Sequence, residues 1–538
     1  GRTCVYCWIP HLLGSPMSQI LSWIVLLPAV VGIIILCLPR SWEEKSREIA
    51  VFTSLIVAAL AIWASQHFDA KSLEALQFHV KYEWIPMLGI HYELGLDGMN
   101  LPLVVMTAVL TPLAFIGTWT QTQASGTMQK RMAALVLFME TGALGTFLAQ
   151  DLFLFYIFWE VILVPAYLLV GMYGDKDRFK ATLQFFLYTF FGSILMLVGI
   201  AWLVHTQAQV TGQPSASFSS LLNLKLPFDT AASFGGLATT QGVLFAAFAA
   251  AFFIKSPLVP FHGWLAATYR QAPTLVSIYL AAILSKMGTY GILKILIPLF
   301  PEAAHAFSPF LMSLAAFGII YGALLAIVQK DFKTVVAYSS LSHVSYILLG
   351  LFSLKAEGMG GALLQMVNHG VAIAGLFLIT GFLEKRRGSL LLKDFGGWAP
   401  QTPVLATGFM VIVLSTVALP GSGGFVGEFA ILVASFRVNG YITAFAATGM
   451  VLGAVYMLNI YQKTMFGKFV DSEAEKVSDL NAREIAVLSV LGLCIVGIGT
   501  APQPFLAPSR TVIEESAKRI SPDEDLPARP TLPGQVSN

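Results

Sequence analysis

The chain has 538 residues, 56% of them apolar and 12% charged, with a formal charge of +2 and a mean hydropathy of +0.73. Soluble domains carry about 25% charged residues, so this composition excludes an ordinary soluble globule and places the protein in a lipid bilayer. The near-neutral balance, with no basic tract longer than Lys385-Arg386-Arg387, argues against a nucleic-acid partner.

Residues 1–16 precede a natural start at Met17 and lack an apolar core followed by a cleavage site. They are expected to be a non-native or unprocessed extension and not a signal peptide. Cys4 and Cys7 form a lone C-x-x-C, and with Cys37 and Cys494 they make no disulfide or metal framework. No Rossmann fingerprint, P-loop or ferredoxin-like cysteine spacing occurs, so redox chemistry or ATP hydrolysis that powers the protein is expected on another chain.

Runs of about 20 apolar residues span the hydrocarbon layer as helices. The sequence predicts an all-α polytopic membrane protein with fourteen such segments: 20–38, 49–66, 98–118, 132–149, 151–171, 181–205, 242–264, 274–297, 308–329, 332–352, 361–383, 402–435, 443–465 and 484–502. The seventh is interrupted at Lys255-Ser256-Pro257 and again at Pro260. The twelfth is too long for one pass and breaks at Pro420-Gly421-Ser422-Gly423-Gly424. Beyond about residue 503 the chain turns polar, and 503–538 is expected to be a solvent-exposed tail.

Lysine and arginine alternate between the loops. Loops after odd-numbered segments hold Arg40, Lys45, Arg47, Lys130, Arg131, Lys176, Arg178, Lys180, Arg270, Lys330, Lys333, Lys385 to Arg387, Lys393, Lys468, Lys476 and Arg483. Loops after even-numbered segments hold Lys71, Lys81, Lys225, Lys355 and Arg437. The positive-inside rule puts the odd loops in the cytoplasm and both termini on the opposite side. The two broken segments lie five segments apart, and an odd offset inverts topology. After segments 1–3 (17–130), segments 4–8 (131–298) and 9–13 (307–466) are therefore expected to be inverted repeats, followed by a last helix at 484–502. Matched interrupted helices in inverted repeats point to a transport path.

A lysine at the depth of Lys255 costs about 3 to 15 kcal/mol unless a carboxylate or water meets it. Pro257 removes a helical N–H at the same place, and broken backbone at membrane depth is tolerated where it lines a cavity. The other deep ionisable residues are Glu140, Glu160, Lys286, His343, His369 and Glu428, whereas Lys294 lies near a helix end and can snorkel. Acidic and basic groups at similar depth suit a relay in which each site exists charged or neutral, and histidine titrates near neutrality without help. Static salt bridges holding the bundle together are the plainer reading, most plausible for Glu140 and for the histidines. His262, in VPFHGW, is expected to cap carbonyls freed by the break.

DLFLFYIFWEVILVPAYLLVGMYG, FFIKSPLVPFHGWL, QAPTLVSIYLAAILSKMGTYGILK, KTVVAYSSLSHVSYI, LLQMVNHGVAIAGLFLI and ALPGSGGFVGEFAILVASF resemble, in family order, the antiporter-like M subunit of respiratory complex I, NADH:quinone oxidoreductase. The late DLNAREI and PQPFL resemble it too. The resemblance implies a subunit without its own cofactor that translocates protons, driven by quinone reduction, with FMN, iron–sulfur clusters and quinone in partner subunits. It implies further partners in neighbouring antiporter-like subunits, lipids and the lateral helix of the distal subunit, and a bacterial inner membrane as the location. It implies that Glu160 pairs with Lys255, that Lys286 is the central lysine, that His343 and His369 link, and that Glu428 is the terminal acid. Related subunits are expected to carry lysine at that last position. This chain departs from the family's WLPDAH, reading Trp264-Leu265-Ala266-Ala267-Thr268-Tyr269, and Ser285 replaces a usual leucine. The absence of a long lateral helix disfavours the distal L-type subunit. A subunit of an Mrp-type cation/proton antiporter and a membrane-bound hydrogenase module share these motifs and remain alternatives.

Overall fold

A computed structural model describes residues 19–72, 76–119, 126–469 and 477–520. Residues 1–18, with the C-x-x-C, and the stretch from 521 onward lie outside it. The described chain is a helical bundle: α1 (Ile20–Cys37), α2 (Ser46–Gln66), α3 (Leu101–Gly117), α4 (Gly126–Leu148), α5 (Leu152–Val161), α6 (Leu163–Tyr173), α7 (Arg178–Thr211) and α8 (Thr240–Lys255). There follow α9 (Leu265–Gln271), α10 (Thr274–Leu299), α11 (Pro301–Val328), α12 (Phe332–Phe352) and α13 (Ala356–Arg387). The last are α14 (Pro403–Thr416), α15 (Gly423–Val438), α16 (Gly440–Met465), α17 (Ala482–Thr500) and α18 (Gln503–Ile520).

Among the described residues, 11 helical stretches are long and apolar enough to cross a membrane, α5 and α6 together making one of them, and three shorter apolar ones are α3, α8 and α14. α8 and α14 are the first halves of the two interrupted segments. Helix starts carry side-chain caps that satisfy the first backbone N–H groups. Asp151 accepts from Phe153 and Leu154, Asp331 from Thr334, and Asn439 from Tyr441 and Ile442. α17 opens with a capping box between Asn481 and Glu484.

Burial sorts the helices into a centre and a lipid-facing rim. The apolar stretches of α10, α12 and α13 are 94%, 94% and 100% buried, against 39% for α1, α2 and α7. Because lipid solvates apolar surface, that partition marks where polar chemistry can be enclosed. Every deep lysine and histidine of the predicted relay except Lys255 sits on one of the three central helices.

Three features depart from the expected architecture. An antiparallel hairpin, β1 (Gln77–Ile85) and β2 (Ile90–Leu96), occupies what was expected to be loop, with Val80 opposite Leu94 and Tyr82 opposite Tyr92. Its turn uses Pro86 and a left-handed Gly89 at φ 64°. The tail expected to lie in solvent from residue 503 instead begins with α18, an amphipathic helix that buries Ser509, Ile513, Ser516, Ala517 and Ile520. Prolines at its start hid the periodicity. The fifth segment is two helices: Pro165 supplies no N–H, and the ladder opens at Ile162.

Candidate functional site

α10 carries the central lysine, and its backbone is not a plain α-helix. Tyr279–Leu284 and Ile292–Leu296 are π-helical, flanking the α-helical turns Ser285–Gly291. Single π turns inside α-helices concentrate at functional sites because they re-aim carbonyls. Here the Ser285 N–H bonds five residues back to Leu280. The Ala281 carbonyl receives Lys286 Nζ at 2.7 Å and Ser285 Oγ at 2.7 Å. Lys286 is fully buried. Its ammonium also donates to Ser285 Oγ at 3.2 Å and to His369 Nδ1 at 2.6 Å.

From there the polar groups continue into α13, α12 and α15. The rings of His369 and His343 lie 5.5 Å apart, centroid to centroid. His343 Nδ1 meets Glu428 Oε1 at 2.9 Å, and Gln365 Nε2 donates to the same oxygen at 2.9 Å. Glu428 is buried in the first turns of α15, just beyond the break that follows α14. The structure thus brings Lys286, His369, His343 and Glu428 into one series.

Lys255 ends α8 with its ammonium buried, but its partner is not the one expected. Its Nζ donates to the Trp159 carbonyl at 2.9 Å and lies 3.7 Å from the Trp159 ring centroid. Trp159 lies in the last turn of α5, where helix-terminal carbonyls lack an intrahelical partner. Among the described residues no ion pair joins Glu160 to Lys255, and Glu160 Oε1 has no hydrogen-bond partner. α8 and α10 touch beside the two lysines: a Cβ at Gly288 would lie 2.2 Å from Ser256 Oγ.

Glu140 stands apart from the series. It is fully buried, its neighbours are the Thr111 and Tyr279 hydroxyls, and those two hydrogen-bond each other. His262 does not cap the broken helix. The Ile254 carbonyl is taken by Trp264 Nε1 at 2.9 Å, while His262 packs edge-on against Tyr321. Lys294 does not snorkel; it pairs with buried Asp97 at 2.5 Å. In the departing WLAATY stretch, Tyr269 donates to the Leu280 carbonyl at 3.1 Å and so braces the π turn that holds Lys286.

Sequence reasoning missed Trp159, Asp97, Gln365 and Asn368. The last two had a signal, since Asn368 adjoins His369 and Gln365 lies one turn before it. A cavity of about 1000 Å³ opens near the start of α10, with Lys176, Arg270, Lys333, Glu384 and Lys385 in its wall. Among the described residues no cluster of three or more metal-ligating side chains occurs.

A family model described as "NADH:quinone oxidoreductase/Mrp antiporter, TM" matches residues 149–494, which takes in every residue of the Lys286–Glu428 series. The chain belongs to that family. Within it, a curated relative named NADH-quinone oxidoreductase subunit M, from Rickettsia typhi, is 37% identical over 85% of this chain and 89% of its own length. A chain of respiratory complex I from Thermus thermophilus matches with a TM-score of 0.82 and 30% identity, covering 93% of this chain and 99% of that one. A chain of the Mrp complex from Dietzia shares the fold, with a TM-score of 0.76 at 21% identity over 95% of this chain and 98% of that one.

Proposed function

We propose that this chain is the M-type subunit of a proton-translocating NADH:quinone oxidoreductase and carries protons across the membrane while neighbouring subunits reduce quinone. The observation that carries the reading is the side-chain series Lys286, His369, His343 and Glu428, enclosed by the three most buried helices. Each member exchanges a proton, so a charge can pass along them without any group leaving its place. FMN, iron–sulfur clusters and quinone would be held by partner subunits, and no redox step falls to this chain.

Lys286 serves as the exchangeable relay. Protons would reach it from the 1000 Å³ cavity, whose wall is built from the lysine-rich loops assigned to the cytoplasm. Lys255 serves as the electrostatic gate. Its ammonium, now on the Trp159 carbonyl, has Glu160 one residue further along α5 as an alternative partner. Movement between the two changes the field at Lys286, because Ser256 and Gly288 hold α8 against α10. Glu428 is the terminal donor beside the α14–α15 break. α4–α10 and α11–α16 would be the inverted repeats, with both termini on the non-cytoplasmic side of a bacterial inner membrane. Neighbouring antiporter-like subunits, lipids and the distal subunit's lateral helix would pack outside.

Purification of the chain from its native membrane tests the assignment. The reading expects co-purifying flavin and iron–sulfur subunits and NADH-driven quinone reduction. A complex without redox subunits that exchanges cations for protons would make it an Mrp-type antiporter, and a nickel site would make it a hydrogenase module.

A further inference from the structure

The series from Lys286 to Glu428 has one gap, between the two imidazoles. His369 uses Nδ1 toward Lys286 and His343 uses Nδ1 toward Glu428, while the Nε2 of each is buried without a hydrogen-bond partner. The partners fix the polarity. An ammonium only donates, so His369 Nδ1 accepts, and the neutral ring carries its proton on Nε2. A carboxylate only accepts, so His343 Nδ1 donates, and its Nε2 accepts. A donor and an acceptor are therefore left without partners on two rings whose centroids lie 5.5 Å apart.

Two more buried atoms without partners lie there, Gln365 Oε1 and Asn368 Oδ1. The nitrogen ends of both amides are committed, Gln365 Nε2 to Glu428 at 2.9 Å and Asn368 Nδ2 to the Gly423 carbonyl at 2.6 Å. Both oxygens are thereby fixed as acceptors. All four residues line a cavity of about 10 Å³, close to the space that one water needs. Its shape depends on two glycines of α15. A Cβ at Gly423 would lie 2.3 Å from Asn368 Oδ1, and one at Gly427 would lie 2.6 Å from Gln365 Oε1.

We propose that Gln365 and Asn368 are positioning residues that hold a water between His369 and His343, in a site kept open by Gly423 and Gly427. The inference rests on the Lys286–Glu428 reading. The water accepts from His369 Nε2–H, donates one hydrogen to His343 Nε2 and the other to an amide oxygen. A proton leaving Lys286 adds to His369 Nδ1, and the Nε2 proton passes to the water. The water gives a proton to His343 Nε2, and the Nδ1 proton of His343 passes to Glu428. One proton enters, one arrives, the water is regenerated, and each imidazole is left in its other tautomer, which the ring must reverse before the next passage.

The test uses the assembled complex in inverted vesicles, with NADH-driven acidification, turnover and subunit content measured together. Ala372 also lines the cavity. Ala372→Val fills it without touching a hydrogen-bonding group, and acidification should fall at least about tenfold, on the scale of losing a positioned proton-transfer group. Ala372→Ser, small and polar, should retain it. Gln365→Met keeps the side-chain length and bulk but neither amide contact, and acidification should fall, which a packing role would not predict. A density map of the unaltered complex should show one ordered water bridging the two rings. Wild-type acidification by Ala372→Val, or an empty space between the rings in that map, overturns the proposal. Lys286→Ala runs alongside: if it pumps normally the relay reading itself fails, and if only Ala372→Val does, the water alone is lost.

Discussion

At the residue scale, burial sets the demands and the partners show how they are met. Lys255 and Lys286 are enclosed where an unmet ammonium is prohibitive, and each is met by a backbone carbonyl, Trp159 for one and Ala281 for the other. Glu160→Gln should impair quinone-coupled turnover more than Glu140→Gln, because Glu160 neighbours the Lys255 gate while Glu140 lies outside the series. Glu160→Asp should keep part of the activity. Equal losses in the two glutamine variants would contradict the gate. Glu428→Lys should retain more acidification than Glu428→Leu, since a titratable group survives, yet less than wild type because the added charge opposes a protonated Lys286. Equal pumping by the lysine and leucine variants would remove Glu428 from the path.

At the element scale, the glycines decide which helices can approach. Gly288→Ala would place a Cβ 2.2 Å from Ser256 Oγ and 2.8 Å from the Phe252 carbonyl. It should push α8 from α10 and destabilise the subunit by about 1–3 kcal/mol, the range for overpacking a close contact. A lowered midpoint in thermal unfolding of the purified complex checks this, and an unchanged midpoint would mean that Gly288 does not set the approach of α8 to α10. Helix breaks and deep charges were legible in the sequence because prolines, glycines and lysines interrupt otherwise apolar runs. The π turns of α10 were not, since nothing in YLAAILSKMGTYGILKIL distinguishes a bond five residues back from one four residues back. The exchange of Glu160 for the Trp159 carbonyl was equally hidden, as sequence carries side chains but not which helix-end carbonyl an ammonium reaches.

At the scale of the whole molecule, burial and charge give two independent views of its orientation. The central helices are enclosed while α1, α2 and α7 are open to lipid, and the lysine-rich loops gather around the large cavity. Sidedness is checked by cysteine labelling in intact cells. Lys385→Cys should be protected from an impermeant thiol reagent and Lys81→Cys should react, with the reverse pattern inverting the assigned topology. The β-hairpin and α18 escaped the sequence reading because their patterns are short, amphipathic and overshadowed by the long apolar runs, as expected for elements outside the bilayer core.

The central claim is that protons pass through Lys286, and the ratio of protons moved to electrons transferred measures it. Lys286→Ala keeps the helix, because alanine is the best helix former, and removes the ammonium that reaches His369. In reconstituted vesicles supplied with NADH and quinone, the assembled variant should lose proton pumping. An assembled Lys286→Ala complex that moves as many protons per electron as wild type would contradict the account.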